Sequence, residues 1–60
     1  MNFYIKVANS KTGARYCALV VERSGIERVV TFDIEAILLI TGMTLVALRG
    51  LPLGMHNIEI

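Results

Sequence analysis

The sequence predicts a small α+β fold in which an antiparallel sheet carries helices on one of its faces. Three observations lead there. Segments near both ends of the chain alternate polar and apolar residues, two glycine-bearing turns space the first three segments as hairpins, and one apolar stretch, Ile34 to Ile40, is framed by helix-capping residues. The predicted order is strand, strand, strand, helix, short helix, strand, in a single domain over residues 1–60.

The first segment, residues 2–9, sets Phe3, Ile5 and Val7 on one side and Tyr4, Lys6 and Ala8 on the other. This is the period of a half-buried strand. Residues 14–22 repeat the pattern with Cys17, Leu19 and Val21. Between them, Ser10-Lys11-Thr12-Gly13 suits a type I turn followed by a left-handed glycine. That turn sets Ser10 opposite Ala14, and counting back sets Val7 opposite Cys17, Ile5 opposite Leu19 and Phe3 opposite Val21. Turn chemistry and burial then agree on one register.

Ser24-Gly25 is the second hairpin signal, and the β-branched run Ile26 to Phe32 is the third strand. A two-residue loop places Arg28, Val30 and Phe32 on the inner face, and a three-residue loop places Val29 and Thr31 there. The first is preferred because it buries more carbon.

Asp33 can cap a helix, with Phe32 and Ile37 spaced as a hydrophobic staple, and Gly42 can end it in the left-handed region with Met43 folding back on Leu38. Thr44 can cap a second short turn through Arg49, which Gly50 and Pro52 terminate. The segment His56 to Ile60 alternates again, with Ile58 and Ile60 on one side, and reads as a closing strand.

Composition bounds the partners. Sixty residues bury only roughly 60% of the surface that the unfolded chain exposes. Cys17 is the only cysteine and His56 the only histidine, so neither an internal disulfide nor a four-ligand zinc site is available as a staple. Yet 55% of the residues are apolar, 18% are charged, and the mean hydropathy is +0.64. Such an excess of apolar side chains calls for a covering partner. A homodimer is expected first. Residues 34–40 have almost no polar face beyond Glu35, so Ile34, Ile37, Leu38, Leu39 and Ile40 are the candidate interface.

The net charge of +1 and pI near 7.9 give no field that points to nucleic acid. The segment Met1 to Lys11 lacks the apolar run of a secretory signal, and the lone thiol suits the cytoplasm, which is the expected compartment. The longest uncharged stretch, Ala36 to Leu48, is shorter than the roughly 18 to 20 residues that cross a bilayer. A membrane-associated peptide therefore remains an alternative only if the span is extended through Glu35 or Arg49, at a cost of about a few kcal/mol.

Candidate chemistry is sparse, and the residues call for no cofactor, no metal and no enzymatic activity. His56 has no partner at a defined spacing that would make it a base or ligand. Cys17 is turned inward by the hairpin register, where a cysteine acts as a small hydrophobe. Ser10 and Ser24 are turn residues, and the carboxylates are scattered along the chain. Gly50-Leu-Pro-Leu-Gly54 lacks the Lys and hydroxyl residue of a phosphate loop.

One arrangement on the outer face of the first hairpin is suited to binding, where Tyr4, Lys6 and Tyr16 share a surface with Ala8, Ala18 and Val20. Aromatic rings on a sheet can stack bases and a lysine can meet phosphate. Tyrosines are common on half-exposed strands, however, and Ala18 and Val20 make the same face look more like a protein contact. The leading expectation is thus a non-enzymatic interaction protein acting as a homo-oligomer, with an unidentified protein as a further partner. Single-stranded nucleic-acid binding through Tyr4, Lys6 and Tyr16 is the alternative.

Overall fold

The computed structural model describes residues 1–60 as a four-stranded antiparallel sheet with two helices. The elements run β1 (Asn2–Asn9), β2 (Arg15–Arg23), β3 (Ile26–Thr31), α1 (Ile34–Thr41), α2 (Leu45–Arg49) and β4 (Gly54–Ile58). In the sheet their order is β3-β2-β1-β4, so the closing strand pairs with the first. The α+β class and the element order are those that the sequence predicts.

The β1–β2 hairpin forms in the expected register, with Phe3 opposite Val21, Ile5 opposite Leu19 and Val7 opposite Cys17. Its turn closes through the Ser10 amide, which donates to Ala14 at 2.8 Å, and the Gly13 amide, which donates to Ser10 at 2.9 Å. Gly13 sits at φ +86°, where a Cβ would be strained. Of the odd-numbered residues of β1 and β2, Ile5, Val7, Cys17 and Leu19 join Ile37 and Leu48 of the helices to form the core. Cys17 is buried in that core, as its register requires.

The third strand corrects the expected pattern. A two-residue turn at Ser24 and Gly25 sets Arg23 opposite Ile26 and Val21 opposite Arg28, as preferred. Between Leu19 and Val20 the register then shifts, and Thr31 comes to stand opposite Leu19. An extra residue in a strand carries the chain after it to the other face, because side chains alternate with period two. Phe32 is consequently not an inner-face residue. Its ring meets Tyr16 edge to face, with centroids 6.0 Å apart.

The helix caps are those that the sequence indicates. The Asp33 side chain accepts from the Glu35 amide at 3.1 Å, and Gly42, at φ 73°, donates its amide to Leu38 at 2.9 Å. Thr44 accepts from the Ala47 amide at 3.1 Å. Leu38 and Met43 both pack against the core. The closing strand begins two residues earlier than its alternation indicates, because Gly54 already pairs with Val7 and Met55 with Lys6.

Arg15 ties the helical layer to the sheet in a way that no sequence pattern indicates. Its Nη2 donates to the carbonyls of Leu48, Arg49 and Leu51 at 3.3, 3.3 and 2.9 Å. These groups lie at or just beyond the end of α2, where helical carbonyls lack partners and a cation is favoured.

The molecule is flat, with principal extents of 31 × 26 × 17 Å and a Cα radius of gyration of 11.1 Å. A domain of this length packed to average compactness would have a radius near 10.4 Å, by about 2.2·N^0.38. Its accessible surface is 4285 Å². The mean trend for a monomer of this mass is about 3,900 Å².

Candidate functional site

Two surfaces are open and apolar: the outer face of the sheet and the ridge of the helical layer. On the outer face, Tyr4 stands opposite Val20 and Asn57, Lys6 opposite Ala18 and Met55, and Tyr16 opposite Ala8. The structure thus brings Tyr4, Lys6 and Tyr16 onto one face. Tyr16 lies four residues along the strand from the partner of Tyr4, a separation of roughly 14 Å at about 3.4 Å per residue, with Lys6 midway. Lys6 is exposed, and both tyrosines are half-buried.

The face has more relief than the alternation alone implies. Ala18 and Val20 are buried although no helix crosses above them. Phe32 extends the aromatic surface through its contact with Tyr16. A shallow hollow of ≈ 190 Å³ is lined by Lys6, Val20, Glu27, Val29 and Met55 with Arg28 from the edge strand. Sequence reasoning missed Phe32 and Met55 at this surface. The first depends on the register shift in β3, and the second on β4 pairing with β1, which joins segments about fifty residues apart.

The candidate interface on α1 divides in two. Ile37 is wholly buried within the protomer's own core and Leu38 packs against it, so these two hold the helix to the sheet. Leu39 is 87% exposed, and Ile34 and Ile40 are also exposed. The helix advances about 100° per residue, so Leu39, two positions beyond Ile37, must point away from the core. Val46 bears the same relation to buried Leu48 and is 82% exposed. Leu39 and Val46 are the two most exposed large apolar side chains in the chain. Val46 was findable in the sequence once Leu48 is taken as the inward residue of α2.

His56 and Glu22 have structural partners. His56 shares a hydrogen bond of 2.7 Å with the Pro52 carbonyl through Nε2, which must therefore carry the proton. This bond holds the start of β4 against the turn before it. Glu22 accepts from the Asn2 side-chain Nδ2 at 3.0 Å and from the Gly25 backbone N–H at 2.8 Å. The Asn2 bond first, and then the Gly25 bond, hold its carboxyl below the ordinary value of 4.5. No three His, Cys, Asp or Glu side chains converge as a metal site would require, and no helix is long and apolar enough to cross a membrane.

Comparison with protein-family models, with curated proteins and with solved structures gives no significant match.

Proposed function

We propose that this protein is a non-enzymatic interaction module that works as a homodimer, with the ridge of its helical layer as the shared surface. The observation that carries this reading is the exposure of Leu39 and Val46 to 87% and 82% on the side of the helices away from the sheet. Apolar side chains so placed gain nothing from the protomer's fold, and each stabilises an assembly by being withdrawn from water. The accessible surface exceeds the trend for its mass by about 400 Å², which is half of the roughly 800 Å² that each partner contributes to a standard interface. Ile34, Ile40 and Leu45 of the same two helices are also exposed, and a two-fold pairing would use the same patch on both copies.

The test is substitution at the ridge. Leu39→Asp and Val46→Asp should each elute later than the wild type in size exclusion while leaving the circular dichroism spectrum unchanged. Coelution with the wild type would remove the ridge as the interface.

A second reading is favoured by one observation, the contact between Tyr16 and Phe32 on the Tyr4 and Lys6 side of the sheet. Three aromatic rings and a cation form a platform on which bases of a single strand can stack. Under this reading, labelled single strands bind with an affinity that falls as salt rises, and Tyr16→Ala weakens binding by about 1–3 kcal/mol per lost stack. Absence of binding at tens of micromolar protein in low salt would eliminate it.

A further inference from the structure

The inner face of the sheet has an end that the helices leave open. The core lies over Cys17 and Leu19, whereas the far end of β2 and the start of β3 border a cleft of ≈ 400 Å³ lined by Met1, Val21, Arg23, Ile26 and Arg28. We propose that this cleft binds a single amphipathic anion, a phosphate head group carried on an apolar body.

The register supplies the chemistry. Val21 stands opposite Arg28 and Arg23 opposite Ile26, so the two arginines are diagonal neighbours on one face with two apolar side chains between them. The carboxylates of the same strands, Glu22 and Glu27, stand opposite each other on the other face. Glu22 is in addition engaged by Asn2 and Gly25. Arg23 therefore has no carboxylate opposite it in the ladder, whereas Arg28, on the edge strand, also borders the outer hollow that Glu27 lines. Arg15 is different, because three carbonyls occupy it.

Two cations held at diagonal positions repel one another, and an anion placed between them removes that cost. Guanidinium groups offer paired N–H donors that match phosphate oxygens, which makes them suited to this role. Val21, Ile26 and Met1 give the cleft an apolar lining on which a hydrocarbon group can lie. A volume of this size is in the range of small-molecule sites, about 300–1,000 Å³. A free phosphate would use the arginines alone, whereas an amphiphile uses both parts of the lining.

The experiment is a titration of the ¹⁵N-labelled chain with octyl phosphate below its micelle concentration, followed by amide shifts. Inorganic phosphate and octyl glucoside are the two partial probes. Octyl phosphate should move the amides of Val21, Arg23, Ile26 and Arg28 and saturate at a concentration at least tenfold lower than inorganic phosphate requires. Arg23→Gln should weaken octyl phosphate at least fivefold, and Lys11→Gln, in the other turn, should leave it unchanged. Arg23 is exposed, so its substitution leaves the fold intact, as the same spectra will verify. Equal binding of octyl glucoside, or shifts centred on Leu39 and Val46, would overturn the proposal. So would equal affinity for inorganic and octyl phosphate. Binding to phosphatidic acid vesicles without any response to monomeric octyl phosphate would overturn it in favour of a membrane surface.

Discussion

β2 and β3 are paired strands joined by a two-residue turn, and their surroundings could hardly differ more. β2 has strands on both sides and helices above it, and it buries four consecutive residues, Cys17 to Val20. β3 is an edge strand, and every residue from Ile26 to Val30 is exposed. The difference comes from place in the sheet. A central strand has neighbours whose side chains cover both of its faces, and an edge strand has neighbours on one side only. The energy of the fold is thus concentrated in β1, β2, Ile37 and Leu48, while β3 contributes mostly hydrogen bonds and surface.

The sharpest way to break this comparison is to truncate one apolar side chain in each strand. Leu19→Ala should cost about 2–5 kcal/mol through lost burial and the cavity left behind. That is a large share of the roughly 3–9 kcal/mol expected for a chain of this length. Ile26→Ala removes a side chain that is 60% exposed and should cost about 0.5 kcal/mol or less. Urea unfolding of both variants measures the contrast, and equal losses would refute it.

Removal of the Arg15 guanidinium has the next largest expected effect. Arg15→Ala removes the guanidinium from three carbonyls at and just beyond the end of α2 and should cost about 1–2 kcal/mol, because these are charge-assisted hydrogen bonds at a partly exposed site. Hydrogen exchange should show the loss first in α2 and leave the β1–β2 amides protected. Uniform loss of protection would mean that Arg15 supports the whole fold rather than the attachment of one helix.

The smallest effect belongs to Glu22 at the mouth of the β2–β3 hairpin. Its folded value is lowered, so the stabilisation from its bonds to Asn2 and Gly25 is present above the ordinary value of 4.5 and is lost as pH falls through the lowered one. Glu22→Gln should flatten the acid side of the stability profile slightly and leave its neutral region almost level. Stability curves taken from pH 2 to 7 measure this, and an unchanged acid slope would contradict the assignment.

The same contrast explains what could be read from the sequence. The first hairpin was legible because Ser10 to Gly13 and the alternation of Phe3, Ile5 and Val7 impose the same register by independent means. The α1 caps were legible because Asp33 and Gly42 act on their nearest neighbours. In β3 the turn was local and readable, whereas the register shift that carries Phe32 to Tyr16 was not, since no residue type there demands it. The pairing of β4 with β1 and the reach of Arg15 to α2 depend on contacts distant in sequence. In α1, the run from Ile37 to Ile40 is apolar at every position, so composition could not separate buried Ile37 from exposed Leu39.

For the candidate surface, Tyr4, Lys6 and Tyr16 follow from alternation and needed only a correct hairpin. Phe32, Met55 and Val46 required the assembled fold.

Sedimentation equilibrium of the wild-type chain over a wide dilution series tests the covering of these apolar side chains most directly. The weight-average mass should rise with concentration from the 6.6 kDa of one chain towards twice that value. A constant 6.6 kDa up to millimolar protein, with the fold intact, would contradict the account.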